Sequence, residues 1–335
     1  MEKKAVVAGG GGFIGHHMVG YLKSQGYWVR GVDIKRPEYE ESPADEFEVL
    51  DLREWDNCLR ATRGVDEVYQ LAADMGGIGY ITGNHAVVAR NNVLINAHML
   101  EAAVANRVGR HFYSSSACIY PMYLQKSPEV TPLKEEDAYP ADPEEGYGWE
   151  KLYSEKLCQY YTEEGKLETR VARFHNIYGP LGTYEGGREK APAAISRKVA
   201  LAEDDGPIEV WGDGLQTRSF TYVDDCVEGI YRIMQSDHPQ PLNLGTDELI
   251  SVDGLVDLVT KVADKSLTKE HDLSKPQGVR GRNSDNSRLR EVLGWEPGTS
   301  LEDGLRQTYA WIEGQLAQAG RIPGNRARED AAARA

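Results

Sequence analysis

Short apolar runs alternate with longer amphipathic stretches through the first half of this 335-residue chain. Residues 5–8 (AVVA) are too short and too evenly apolar for a surface helix and read as a buried strand. Residues 13–25 carry apolar positions at helical spacing. Strands are predicted at 27–33, just before Asp51, and at 68–72, 111–115 and 169–174; long helices are predicted at 86–106 and 148–161. Strands separated by helices imply crossover connections and a parallel sheet. Residues 124–146, rich in Pro, Glu and Asp, read as a surface excursion. From Gly179 the pattern loosens into a glycine-rich loop and shorter mixed elements.

The expected fold class is therefore α/β, a doubly wound parallel sheet of Rossmann type with a smaller mixed α/β lobe. The sheet domain takes residues 1–178 with a return segment at about 218–245. The lobe takes 179–217 and 246–312, and 313–335, ending GNRAREDAAARA, reads as a flexible tail.

Composition narrows the chemistry. Thirty-eight Lys and Arg stand against 53 Asp and Glu, a net charge of −15. Such a chain lacks the basic footprint of a nucleic-acid or anionic-membrane binder, so any phosphate ligand must be held by local groups. The four cysteines form no CxxC pair, which argues against a zinc site and a disulfide framework; no metal is expected. Met1-Glu2-Lys3-Lys4 runs straight into the first strand and no 18-residue apolar run follows, so the expected setting is soluble and cytoplasmic.

Gly9-Gly10-Gly11-Gly12-Phe13-Ile14-Gly15 joins the first strand to the first helix. In its GxxGxxG spacing Gly9 permits the tight turn, Gly12 lets backbone approach a pyrophosphate, and Gly15 lets helix and strand pack closely. Helix N-terminal amides then face the phosphates without a basic side chain. Asp33, 18 residues past Gly15, can accept from adenosine ribose hydroxyls and repels a 2′-phosphate, favouring NAD over NADP. Lys35 and Arg36 behind it could tolerate NADP. Asp51 is a candidate adenine contact or a solvated turn residue.

Tyr147 and Lys151 form a YxxxK pair, which a helix places on one face. A nearby ammonium favours phenolate, so a phenol of pKa about 10 can fall toward neutrality and act as a base. The segment Ser114-Ser115-Ser116-Ala117-Cys118-Ile119-Tyr120 ends a strand ahead of it, where a Ser hydroxyl could bond the same substrate oxygen.

With GxxGFIG, SSSACIY and YGWEK in this order, the chain resembles the extended short-chain dehydrogenase/reductase family over residues 1 to about 312. Within it, LAADMGGIGY, RFHNIYGPLGTYEGGREKAPAA, WGDGLQTRSFTYVDDCVEG and VRGRNSDN are similar to the branch that epimerises GDP-mannose at C3 and C5. That resemblance implies a catalytic NAD, a transient 4-keto sugar, and products GDP-L-galactose and GDP-L-gulose. It implies Tyr147, Lys151 and Ser116 at the C4 oxygen, and Cys118 and Lys190 as acid/base groups at the neighbouring carbons. Around GDP-mannose it implies Gly76, Asn176, Glu189, Lys198, Gly214, Gln216, Arg218 and Arg280, with Arg282 as an alternative to Arg280. It also implies a homodimer through the helices near 86–106 and 148–161.

Cys58, Cys158 and Cys226 read as structural, as does His175, a satisfied and partly buried side chain. Asn91 and Asn92 could face the nicotinamide or merely cap, and are left outside the site. A 4-epimerase would leave Cys118 and Lys190 surplus. A 4,6-dehydratase usually carries an Asp-Glu pair where this chain has Cys118-Ile119. A non-catalytic NAD sensor could dispense with Tyr147 and Lys151 altogether.

Overall fold

The computed structural model describes residues 2–322. The chain runs β1 (Lys4–Ala8), α1 (Phe13–Ser24), β2 (Trp28–Asp33), β3 (Glu46–Val49), α2 (Trp55–Ala61), β4 (Glu67–Gln70), α3 (Ile78–Gly83), α4 (His85–Ala105), β5 (Arg110–Ser116), α5 (Glu145–Glu163) and β6 (Glu168–Phe174). There follow β7 (Ile177–Tyr178), α6 (Ala191–Leu201), β8 (Pro207–Trp211), β9 (Thr217–Arg218), β10 (Thr221–Tyr222), α7 (Val223–Gln235) and β11 (Leu242–Leu244). The last elements are β12 (Ile250–Ser251), α8 (Val252–Val262), β13 (Thr268–Asp272), β14 (Gly281–Arg282), α9 (Ser287–Leu293) and α10 (Leu301–Gln318).

Seven strands form one sheet in the order β11-β6-β5-β4-β1-β2-β3, every neighbouring pair parallel. A parallel sheet must be covered on both faces, and β1 shows how the sequence meets that demand. Ala5 and Val7 join the cluster containing Met18 and Leu22 of α1 and Ile230 of α7. Val6 and Ala8 join the opposite cluster with Met99 of α4 and Cys158 of α5. An unbroken apolar run is what a strand buried on both faces requires.

The seventh strand, β11, pairs with β6 after the chain has left for the lobe and come back through α7. In the lobe α6, α8 and α10 pack on one another, β8 pairs with β13, and β9 sits between β12 and β14. α10 continues to Gln318 with Leu316 fully buried, so the tail boundary placed at 313 falls inside a helix; residues 323–335 lie outside the described residues. The 124–146 stretch is also more than a surface excursion. Gln125, Leu133, Glu135 and Ala138 are buried, and Leu133 bridges to Ser284 of the lobe. Its polar residues are internal because they have partners: Gln125 accepts from Arg282, and Glu135 accepts from the Asn243 amide. Among the described residues no helix is long and apolar enough to cross a membrane.

Candidate active site

The three glycines at the β1–α1 turn have separable jobs. Gly9 has φ +86°, a conformation that favours glycine. A Cβ at Gly15 would lie 1.9 Å from the Gly9 carbonyl oxygen, so that glycine seats α1 against the turn. A Cβ at Gly12 would meet only the Gly9 oxygen, at 3.3 Å, and Asp33 Oδ2, at 4.0 Å. Gly12 is the N-cap of α1 and has no side chain to satisfy the first helical amides. Its open face and orphan amides fit a dinucleotide pyrophosphate.

Asp33 closes β2 and accepts the Gly11 amide at 3.1 Å. Burial pushes its carboxyl up, against the opposing pull of those backbone bonds. Lys35 pairs with Glu38, and the Arg36 guanidinium lies 5.5 Å from the Phe47 ring centre. Both bases are thus engaged beside Asp33, in keeping with NAD. Asp51 uses both carboxylate oxygens on Arg53 and caps its own turn, which is the solvated-turn arrangement.

The chemical centre lies where β5 ends against the first turns of α5. Gly148 makes this approach possible: a Cβ there would sit 2.3 Å from the Cys118 carbonyl oxygen. Tyr147 and Lys151 are buried on the same helical face, with the ammonium 5.6 Å from the Tyr147 ring centre and donating to the Ser114 carbonyl at 2.9 Å. Ser116 accepts the Cys118 amide at 3.2 Å, and its hydroxyl acts on the Tyr147 phenol to lower its pKa.

The expected fall in the Tyr147 pKa is not found. Burial, then Cys118 and Glu150, push the phenol well above its ordinary value, opposed by the Ser116 hydrogen bond. Burial also lowers Lys151. In this enclosed site desolvation of the anion outweighs the help of the ammonium.

Cys118 is only partly buried, whereas Cys58, Cys158 and Cys226 are fully buried. Its Sγ accepts from Arg282 Nη1 at 3.4 Å, and Arg282 Nη2 donates to Glu144 Oε2 at 3.0 Å. Lys190 is the N-cap of α6 and half-buried; its carbonyl accepts the Ala194 amide at 2.9 Å, while its ammonium makes no hydrogen bond or ion pair among the described residues. Burial lowers its pKa, and the Cys118 and Cys226 thiols act on it in the opposite sense. Two titratable groups on different elements, Cys118 and Lys190, are thus near enough to act on each other electrostatically.

Several other sequence candidates are engaged in holding the lobe together. Asn176, at φ +47°, donates to the Ser219 carbonyl. Glu189 accepts from Arg197 and from the Gly187 amide. Lys198 pairs with Glu209 at 2.7 Å, and Gln216 donates to the Trp211 carbonyl. Gly214, at φ +72°, abuts the Asp253 carboxylate, and Gly76 packs on Tyr80.

Among the described residues Arg218 makes no salt bridge; it donates to the Val279 carbonyl at 2.7 Å, and burial with Arg282 beside it lowers its pKa to about 10, against the opposing pull of Glu144. Arg280 is held bidentately by Asp213, whereas Arg282 is at the thiol. The two arginines thus serve different places.

Sequence reasoning missed Glu144 and the support beneath Lys151. Asn92 donates to Glu150 at 2.9 Å and to the Asp74 carbonyl, Asn91 donates to Asp74, and Asn96 reaches Glu150 and Ser154. Glu150 is buried 4.0 Å from Lys151, and that burial pushes it up to about 7. Asn91 and Asn92 thus neither cap α4 nor stand idle. Their signal was three asparagines at i, i+1 and i+5 in a helix, too polar for a core without internal partners. His175 is fully buried with only Nε2 bonded, to Asn243, and Nδ1 unpaired, so it is half satisfied.

A glycine-lined pyrophosphate turn, a ribose-side acid and a buried Tyr–Lys pair at the carboxyl ends of a parallel sheet define a dinucleotide-dependent enzyme of the short-chain dehydrogenase/reductase type. More closely, the chain belongs to the NAD dependent epimerase/dehydratase family, whose model matches residues 5–245. It is 51% identical over 312 residues to a GDP-mannose 3,5-epimerase of Oryza sativa subsp. japonica, covering 92% of this chain and 82% of that protein. Identity to the GDP-mannose 3,5-epimerase of Arabidopsis thaliana is 49% over 315 residues, 93% and 83% of the two chains. Among solved structures it resembles the UDP-glucose 4-epimerase of Thermotoga maritima, with TM-score 0.84 and 26% identity over 93% of this chain and 99% of that one.

Proposed function

We propose that this chain epimerises GDP-mannose at C3 and C5 through a transient 4-keto sugar, giving GDP-L-galactose and, by C5 inversion alone, GDP-L-gulose. The observation that carries this reading is the convergence of Cys118 and Lys190 beside the Tyr147–Lys151 pair, in a chain about half identical to the rice enzyme. The sheet domain holds NAD through Gly9, Gly12, Phe13, Ile14, Gly15 and Asp33. The lobe holds the GDP-sugar, with Arg218 offering a guanidinium whose hydrogen bonds go to backbone carbonyls.

Bound at the glycine turn and Asp33, NAD would supply a reversible hydride acceptor. Tyr147 takes the C4 hydroxyl proton, steadied by Ser116 and by Lys151 anchored on the Ser114 carbonyl. The C4 ketone acidifies the hydrogens at C3 and C5. Cys118 and Lys190 then remove a proton from one face of each carbon and supply one to the other. Burial lowers the Lys190 ammonium, which favours its neutral, proton-accepting form, and burial raises the Cys118 thiol, which favours its proton-bearing form. Tyr147 returns its proton when the hydride returns, and there is no net redox change. A 4-epimerase would need neither Cys118 nor Lys190.

The exposed Leu94 of α4 and Trp149, Tyr153 and Tyr160 of α5 support a homodimer through these helices. The working compartment is the cytoplasm. Incubation with GDP-mannose in deuterium oxide, read by proton NMR, should place deuterium at C3 and C5 with no added NAD consumed. Cys118→Ala should abolish that exchange. A sugar that acquires no deuterium and is not converted refutes the reading.

A further inference from the structure

An acid/base thiol that serves twice in one turnover must give and take its proton with comparable ease. Cys118 sits between two fixed and opposite charges that could set this balance. Arg282 reaches it from β14: Nη1 is 3.4 Å from Sγ, Nη2 is 3.0 Å from Glu144, and Nε is 2.6 Å from Gln125. All three guanidinium nitrogens are therefore held, and the group cannot swing away from the sulfur.

Glu144 is the residue just before α5. Its amide donates to the Cys118 carbonyl at 2.9 Å, and its carboxylate, held by Arg282, acts on the thiol as a nearby negative charge. Glu144, Arg282 and Cys118 thus form a closed triangle of three chain segments. The guanidinium is nearly fully buried, and a buried arginine this tightly tied is far more specific than a surface ion pair.

We propose that Glu144 and Arg282 are positioning residues that poise Cys118, the carboxylate holding it as thiol and the guanidinium stabilising the thiolate. The purpose of this device rests on the epimerase reading; the device itself is a property of the protein. In the step it serves, the Cys118 thiolate takes a proton from the sugar carbon, leaving an enolate and a thiol. The reverse transfer restores the thiolate, with no electron exchanged beyond the C–H and S–H pairs.

The other ionisable groups bearing on Cys118 are Tyr147 and Lys151 of α5, Lys190 at the start of α6, and Arg218 of β9. Among the described residues none of them hydrogen-bonds the sulfur, whereas Arg282 does. Burial and Glu144 raise the thiol, and Arg282 and Ser116 lower it, in agreement with the contacts.

The test is the pH dependence of Cys118 alkylation by iodoacetamide in the purified full chain, followed by peptide mass analysis, with Cys118→Ser as the blank. The other three cysteines are fully buried and give little background. Glu144→Gln keeps the side-chain volume and should move the alkylation midpoint down by about one pH unit, raising the rate below the midpoint about tenfold. Arg282→Gln should move it up by a similar amount, and Arg282→Lys should restore part of the shift.

Should Arg282→Gln fail to fold, the Glu144→Gln shift alone decides. Midpoints unchanged, or moved in the same direction by both substitutions, overturn the poising even in an enzyme that epimerises. Opposite shifts in a protein that exchanges no sugar hydrogen support the poising and overturn only the epimerase reading.

Discussion

Gly148 is the position at which packing and chemistry are most tightly joined. It lies inside α5, where alanine would ordinarily stabilise a helix by about 0.5–1 kcal/mol. Yet the new Cβ would meet the Cys118 carbonyl oxygen at 2.3 Å and Pro143 Cβ at 3.0 Å. The first contact falls short of ordinary van der Waals separation by about 1 Å. That carbonyl cannot simply rotate, because it accepts the Glu144 amide at 2.9 Å.

Overpacking of this kind costs about 1–3 kcal/mol, which exceeds the helix gain, so Gly148→Ala should lower stability by roughly 0–2.5 kcal/mol. The effect on chemistry should be larger. A 1 Å displacement of reacting groups costs on the order of 100-fold, and here it falls between Tyr147 and Cys118 together. Thermal unfolding gives the first number, and the rates of C4 oxidation and of deuterium entry at C3 and C5 give the second. Near-wild-type exchange in a folded Gly148→Ala protein would refute the close-packing account of the site.

Two other measurements separate local roles. Gly12→Ala should lower the melting temperature only slightly and weaken NAD retention, because the added methyl meets the Gly9 carbonyl oxygen at 3.3 Å, a contact that a small shift relieves, whereas Gly15→Ala should destabilise the fold itself, because it meets the same oxygen at 1.9 Å; equal effects of both on stability would contradict this division. His111 is fully buried with both ring nitrogens unpaired, and burial lowers its pKa to about 3. Its depressed folded value means that the unfolded chain binds the proton first, so its stabilising contribution is full above pH 6.5 and is lost as pH falls toward 3. His111→Leu removes that penalty and should gain about 2 kcal/mol at pH 5 relative to pH 8, read as the change in wild-type-minus-variant unfolding free energy. A pH-independent difference would show that the histidine is not buried neutral. Glu150 titrates with the opposite sign, which is why the comparison is made between proteins rather than on one curve.

Much of the sheet domain was legible because each of its elements carries its own signal. The run from Ala5 to Ala8, the GxxGxxG turn and the YxxxK pair are local patterns, and β1, α1 and α5 match them within a few residues. The 124–146 segment was misread because its Pro, Glu and Asp content resembles a solvated loop, whereas Gln125 and Glu135 are buried against partners more than 100 residues away. The same limit hid Glu144, whose partner Arg282 is 138 positions further on. The expected descent of the Tyr147 pKa erred for a related reason. Spacing on a helix gives the distance to Lys151, but only the folded chain gives the burial that opposes ionisation.

The triangle of Cys118, Glu144 and Arg282 has a bearing on how the protein comes into being. β1 to β6 and the glycine turn are complete by Phe174, before Lys190, Arg218 or Arg282 has been added to a growing chain. A nascent chain of that length already has the dinucleotide turn and the Tyr–Lys pair, but Cys118 has neither its guanidinium nor its opposing lysine. The residues of the dinucleotide turn and of the Tyr147–Lys151 helix are therefore made ahead of the partners that surround Cys118 from the lobe. A chain cut short in the lobe would carry the dinucleotide turn and the Tyr147–Lys151 pair while Cys118 lacked the guanidinium of Arg282.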